Sequence, residues 1–533
     1  MFQIFQKKKL TASTIVPQSN KNNKSVIVTL HQTPHIQIPT TLLTECREIT
    51  RNATKYRTQH GTGVYTRPPF CTKGYLNVDV DACFSAEKCR VLTKNILVAR
   101  PKQMSTASSH QRTVPDQSYP VWMPGRHGYI CLPRHIGMHL FGDAIYTPPS
   151  EVRCAVGGVI HAKFGGTLRD FQKRIVQHVI TRFAACPIPR PCGGIIVASC
   201  GTGKTVMTIA LICQLGLRAA IVVHKEFLLK QWSDRLAQFA PGIRVGVVQR
   251  DRVEVEGCDV VLFMIHSLAR TDRYPPSTFA PFGIVIFDET HHISARTFIT
   301  AAGMFPARLR LGLTATPVRA NGLGYLLTWV LGPIVCEARR QDGATVTVQT
   351  ITNNEPYRTI RTRFGDISYP GMVSQIVNDE RRIQLVASLV ANIVRQEKRR
   401  YVLVASDRLQ HLHALMEATQ QLLGDTCSMG LYVGATTKRD RLKRAENERI
   451  CQILFTTFRM GEEGLDIPRM NTLVLASPKK QIEQLVGRIT RGKSGKGGID
   501  PVVYDIVDDN AGIFKSMALK RKRVYKRLGY CLQ

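Results

Sequence analysis

Eight consecutive residues, Ala198-Ser199-Cys200-Gly201-Thr202-Gly203-Lys204-Thr205, place small residues and glycines ahead of a lysine and a hydroxyl. Backbone N–H groups left open at a helix start, together with the helix dipole, favour an anion there. Gly201 and Gly203 let the backbone come close, Lys204 offers a point charge to β- and γ-phosphates, and Thr205 offers a hydroxyl to Mg²⁺. Ala198 stands where the first glycine of such a loop is usual, and it is small enough to serve. An ordinary strand-to-helix turn could carry some of these residues, but the flanks decide. Apolar Gly194–Val197 leads in, and a helical pattern from Val206 to Leu215 leads out and stops at Gly216. The stretch predicts a nucleoside triphosphate site.

A second constellation, Asp288-Glu289-Thr290-His291-His292, follows the apolar run Ile284-Val285-Ile286-Phe287. Acids at the carboxyl end of a central strand lie where open α/β sheets bind ligands. Asp288 can hold Mg²⁺ through water, and Glu289 can orient and deprotonate an attacking water. The two histidines, adjacent on an extended segment, point apart, which favours a structural or coupling role over metal ligation. Gln172 lies upstream of the phosphate loop on a helix expected to begin at Thr167. Asp170 stands at capping-box spacing, and Leu168, Phe171, Ile175, Val179 and Phe183 mark a buried face. The Gln172 amide is either solvated or reads the two edges of an adenine. Far downstream, Gln484, Arg488 and Arg491 recur at i, i+4 and i+7 and so share a helical face. They form either a solvated surface or fingers toward a γ-phosphate held by another domain. The second half has no phosphate loop of its own, which favours fingers.

These groups need rigid elements to hold them. Apolar, β-branched runs at Ala219–Val223, Asp259–Ile265, Gly283–Phe287 and Leu309–Leu313 alternate with helical stretches. Such runs fit a parallel sheet covered on both faces. From Gln375 the alternation restarts: a helix over Ile383–Val394, then strands at Tyr401–Ala405, Gln452–Thr456, Thr472–Leu475 and Val502–Ile506. The expected plan is a basic accessory region over 1–155, an α/β nucleotide domain over 156–335 and a connector with extra strands (Thr345–Ile351) over 336–374. A second α/β domain over 375–510 and a basic tail over 511–533 complete it. The accessory region has short β-type runs, best at Tyr129–Arg134, and either grips nucleic acid or packs on the motor. The tail, with Lys520-Arg521-Lys522-Arg523, reads as a nuclear address, a nucleic-acid-binding helix or a solvated basic helix.

A chain of 533 residues exceeds one core, and a net charge of +34 implies a polyanionic partner, most simply nucleic acid. Met1–Leu10 does not read as a signal peptide, and no apolar run is long enough to span a bilayer. The 15 cysteines form no CxxC pair, so reduced thiols in an intracellular protein, nuclear or cytoplasmic, are expected, without structural zinc.

In this order the motifs resemble superfamily 2 helicases and translocases of the DExH type, over about Thr167 to Asp508. Leu168–Gln172 is similar to the upstream glutamine motif, Ala198–Thr205 to motif I, His224-Lys225 to motif Ia and Asp288–His291 to motif II. Thr314-Ala315-Thr316 is similar to motif III, Val404–Ser406 to motif IV, Thr456–Asp466 to motif V and Gln484–Arg491 to motif VI. Asp-Glu-Thr-His-His and Glu-Gly-Leu-Asp-Ile-Pro are most similar to the xeroderma pigmentosum B group and to transcript-release helicases of large cytoplasmic DNA viruses. Two departures are visible: Asn321 stands where that group often has Asp, and its Arg-Glu-Asp element is missing.

The resemblance implies two RecA-like domains facing each other across a cleft. ATP and Mg would sit on the first, with Asp466 added to the nucleotide contacts and Arg488 and Arg491 closing from the second. It implies ATP-driven movement on nucleic acid, with DNA favoured, through largely sequence-independent phosphate contacts. Transcription or repair machinery would be the partner; a viral origin would mean the virion or host cytoplasm. The competing readings are an RNA helicase and a non-hydrolysing, nucleotide-switched scaffold. A small-molecule P-loop kinase would need neither a second α/β domain nor so basic a surface.

Overall fold

The structure, a computed structural model, describes residues 26–31, 36, 38, 42, 46–47, 71–72, 75–79, 98–99, 118–124, 129–141 and 159–533. Excepted within the last span are 187–189, 200, 271–272, 291–294, 316–321, 341–345, 435–437, 464–466, 468 and 491–498. The chain divides into two compact units, one ending at Arg339 and the other running from Arg340 to Gln533 apart from short N-terminal pieces.

The first unit holds β1 (Val26–Leu30), β2 (Tyr75–Asp79), β3 (Tyr129–Pro133), α1 (Arg134–Phe141), α2 (Asp170–Ala184), β4 (Cys192–Ala198), α3 (Lys204–Leu215) and β5 (Ala219–Val223). It continues with α4 (Glu226–Phe239), β6 (Val245–Gln249), β7 (Arg252–Val253), β8 (Val260–Met264), β9 (Ile284–Phe287), α5 (Ala295–Met304), β10 (Leu309–Thr314), α6 (Tyr325–Leu331) and β11 (Ile334–Arg340). One sheet runs β1-β11-β4-β10-β9-β5-β8-β6-β7. From β11 to β6 neighbouring strands are parallel, and β7 turns back antiparallel. Every residue of β4, β5, β8, β9 and β10 is buried, as strands sandwiched between helices require. Parallel strands present their carboxyl ends on one edge, so the loops after β4, β9 and β10 lie together.

The accessory region is built into this unit. β1 lies beside β11, while β2 and β3 belong to a small antiparallel sheet. Arg134, fully buried at the start of α1, donates from Nη1 to Ala307 O at 2.7 Å. Arg310 on β10 likewise donates to Val330 O at 3.0 Å and Ala302 O at 2.8 Å. These arginines cap carbonyls that would otherwise lack donors.

The second unit contains β12 (Thr347–Asn353), α7 (Glu380–Gln396), β13 (Val402–Ser406), α8 (Leu409–Leu423), β14 (Met429–Tyr432), β15 (Ile453–Thr457) and α9 (Phe458–Glu463). After them come β16 (Thr472–Leu475), α10 (Glu483–Ile489), β17 (Val502–Asp508), α11 (Gly512–Arg527) and β18 (Cys531–Leu532). Its strands run β14-β15-β13-β16-β17-β12-β18, all parallel. α7 starts where the Asp379 carboxylate accepts Arg381 N–H at 3.1 Å, an N-cap.

One sequence expectation needs correction. The helix expected from Thr167 starts at Asp170, because Gln172 Oε1 accepts the Arg169 N–H at 2.9 Å and sets the first turn there. The connector over 336–374 carries its expected extra strand as β12, and its first residues belong to β11. The basic tail folds as α11 and β18. Arg521 is buried and grips Asp505 with Nη2–Oδ1 at 2.7 Å, and β18 pairs with β12.

Arg382 on α7 and Asp508 on β17 form an ion pair with both side chains fully buried, Nε–Oδ1 2.8 Å. Asn353 Nδ2 adds a hydrogen bond to Asp508 at 2.9 Å, and Arg382 Nη1 donates to Ala476 O. Removing one partner leaves a buried charge uncompensated. Arg382→Met should lower the free energy of unfolding by about 3–5 kcal/mol, and adding Asp508→Asn should recover part of the loss. Denaturant titration of both variants checks this.

Candidate active site

The phosphate loop runs from the end of β4 to the start of α3, with Cys200 outside the described residues. Ser199 N–H donates to Ala338 O on β11 at 3.1 Å, and Thr202 Oγ1 donates back to Ser199 O at 2.7 Å. Gln172 Nε2 donates to Thr202 O at 2.8 Å, so α2 grips the loop through the amide whose oxygen starts its own helix. Gly201 and Gly203 have φ of 78° and 87°. A Cβ on residue 203 would come within 2.4 Å of Gln172 Nε2, so both backbone and space demand glycine there. The amide of Gln172 keeps one further N–H and one further lone pair, which leaves capacity for an adenine edge.

Lys204 opens α3, and its Nζ lies 3.0 Å from Ala198 O and 3.3 Å from Glu289 Oε1. Asp288 follows β9, 7% exposed, with its N–H on Val222 O. Its Oδ2 accepts the indole N–H of Trp232 on α4 at 2.9 Å, and its Oδ1 accepts the Glu289 N–H at 3.0 Å. Burial first, then the charge of Glu289, raises the Asp288 carboxyl to about 6, while the Trp232 hydrogen bond and Lys204 favour its ionised form. Glu289 holds φ at 46°, a left-handed conformation that costs a non-glycine residue about 1 kcal/mol or more. Thr314, fully buried, ends β10 between β4 and β9. Thr205 stands half-buried in the first turn of α3.

A half-buried hydroxyl, a buried carboxylate and a second carboxylate beside one lysine fit a magnesium nucleotide. A divalent cation offsets the cost of a carboxylate held in low dielectric, and open N–H groups at the start of α3 suit phosphate. Trp232 was not legible as a site residue: its hydrogen bond joins positions 56 apart, and an amphipathic helix gives no reason to single out one tryptophan.

In the second unit, Arg488 Nε donates to Glu462 O at 3.0 Å, holding the last turn of α9. Glu462 pairs with Lys479 at 2.7 Å, and the Lys479 ammonium lies 4.7 Å over the Phe458 ring. α10 ends at Ile489 with Thr490 at its C-cap, and Gln484 and Arg488 stand four residues apart on it. Arg491 and Asp466 lie outside the described residues, as do His291, His292, Thr316 and Asn321.

A family model described as the res subunit of type III restriction enzymes matches residues 166–319, the span with Gln172, the phosphate loop, Asp288 and Glu289. A protein of Acanthamoeba polyphaga mimivirus named as a candidate ATP-dependent RNA helicase, L396, is 28% identical over 426 residues, 79% of this chain and 78% of that one. The chain is an ATP-dependent helicase, similar to those of superfamily 2. Invertebrate iridescent virus 6 encodes another relative of this helicase, named as a candidate helicase, 161L, 24% identical over 69% of this chain and 83% of that one. A solved fragment of a candidate HsdR subunit of a type I restriction enzyme from Vibrio vulnificus YJ016 shares the fold. Its TM-score is 0.50 at 14% identity, over 70% of this chain and 69% of that one.

Trp232→Phe keeps the apolar bulk against the helicase core and deletes one hydrogen bond to a buried carboxylate. A hydrogen bond to a charged group contributes about 1.5–3 kcal/mol, so ATPase should fall about ten- to hundredfold. The Mg²⁺ concentration for half-maximal rate should rise. Steady-state kinetics across a Mg²⁺ series, with circular dichroism to confirm folding, measures both effects.

Proposed function

We propose that this helicase hydrolyses ATP at the Lys204–Asp288–Glu289 cluster and uses the energy to move along nucleic acid, with DNA the favoured strand. Lys204 and the N–H groups of Gly201 and Gly203 hold the phosphates, with Ala198, Ser199, Cys200 and Thr202 completing the cradle. Gln172 fixes the loop and contacts adenine, and Asp466 joins the nucleotide contacts from the second domain. Thr205 and Asp288 are the residues for Mg²⁺, which neutralises phosphate charge when bound. Glu289 orients and deprotonates the attacking water. Arg488 and Arg491 supply charge, and Gln484 a hydrogen bond, to the γ-phosphate from the second RecA-like domain. Hydrolysis removes the charge that the two domains share, so they part and step.

The observation that carries this reading is one lysine held between its own loop carbonyl and a glutamate 3.3 Å away, at the edge where parallel strands end. The net charge of +34 supports a polyphosphate track contacted through its backbone. RNA is the second reading, supported by the name of the mimivirus relative. Viral relatives also support work in an infected cell's cytoplasm or in the virion, during transcription or repair. Among the described residues no helix is long and apolar enough to cross a membrane.

Glu289→Gln should cut turnover about 10²–10⁴-fold and leave ATP affinity within a few-fold. Unchanged turnover would remove Glu289 from the role of base. Wild-type ATPase measured with single-stranded DNA, duplex DNA and RNA at matched salt assigns the track: stimulation by DNA above RNA is expected, and the reverse order selects the RNA reading. No stimulation by any of them sinks translocation. Gln172→Ala separates its two roles, since an adenine contact predicts a loss selective for ATP over GTP and a loop clamp predicts equal losses.

A further inference from the structure

A cavity of about 500 Å³ lies at the opposite end of β4 from the phosphate loop, where Cys192 and Gly193 begin the strand. His31, His135, His178, Arg182, Arg190 and Cys186 line it, and none of its lining residues is acidic. His135 comes from α1 and is 6% exposed, yet its Nε2 has no hydrogen-bond partner. The His178 Nε2 and the Arg182 Nε are likewise buried without one. A buried polar nitrogen left unmatched costs roughly 1–3 kcal/mol, and natural proteins rarely leave three in one place without a reason.

The electrostatics agree. Burial, then Arg310, Arg134, Arg182 and Arg190, lowers the His135 imidazole well below its usual value, so it is neutral and one ring nitrogen can donate. The Cys186 thiol is lowered to about 7, first by its hydrogen bond with Cys192 and then by Arg190, Arg308 and Arg182. In both shifts the arginines come second, after burial for His135 and the Cys192 hydrogen bond for Cys186, and they act in the direction of a positive field. A site walled by two guanidinium groups and imidazoles suits an anion, with Glu337 held 3.6 Å from His31 Nε2 as the acid beside its wall, and its volume is that of a small-ligand site.

We propose that this cavity is a second anion site that binds a phosphate monoester, physically separate from the nucleotide cradle. The phosphate is either that of a free mononucleotide or the 5′-terminal phosphate of a nucleic-acid strand. Arg182 and Arg190 take its charge, and His135 donates to one of its oxygens.

The test uses the full chain carrying Lys204→Ala, so that the cradle does not compete. Calorimetric titrations are run with inorganic phosphate, with AMP, and with one oligonucleotide bearing either a 5′-phosphate or a 5′-hydroxyl. Binding of phosphate or AMP that weakens about tenfold or more in Arg182→Gln supports a free ligand. Tighter binding of the 5′-phosphate strand than of the 5′-hydroxyl strand, with the difference erased by Arg182→Gln, supports a strand terminus. His135→Asn, which retains a donor of smaller reach, should reproduce either loss in part. Absence of phosphate and AMP binding together with equal affinity for the two strands overturns the site, as does binding that Arg182→Gln leaves unaltered.

Discussion

Charge gathered at one edge of a buried sheet is the constraint from which the rest of the first unit follows. Lys204, Asp288 and Glu289 meet only because β4, β10, β9 and β5 lie side by side and parallel. A carboxylate as buried as Asp288 needs donors, and Trp232 supplies one from a helix that otherwise looks like sheet covering. The left-handed backbone at Glu289 and the glycines of the phosphate loop show the same pressure. Side chains and amides are brought closer together than relaxed geometry prefers, and the surrounding strands hold them there. Gln172 extends the arrangement outward, since one amide both starts α2 and clamps Thr202.

A few of the arginines that make the sequence look simply basic are internal. Arg134 and Arg310 satisfy carbonyls in the first unit, while Arg382 and Arg521 pair with buried aspartates in the second. A guanidinium suits these places because its planar fork of donors can serve a carboxylate and a carbonyl at once. The charge available to a nucleic-acid partner is therefore smaller than the formal total, and its distribution over the surface matters more than its sum.

The phosphate loop, the acids after β9 and most strands could be read from the chain, because each is a local pattern: apolar runs, glycine spacing, a cap. What could not be read depends on distant partners. Thr347–Asn353 reads as a strand from its own alternation, but its place in the second sheet depends on a neighbour about 155 positions away. Lys520-Arg521-Lys522-Arg523 looks uniformly solvated because composition does not reveal which one turns inward to Asp505.

The position of β12 also has a temporal meaning. This strand leaves the ribosome early but lies between β17 and β18, so its backbone hydrogen bonds wait for more than a hundred further residues of synthesis. During that interval its Val348 and Ile351 side chains have no native sheet to enter, a window in which a nascent chain is open to wrong pairing. Assembly of the second lobe is thus gated by translation of its last third, and slow elongation there would lengthen the exposure.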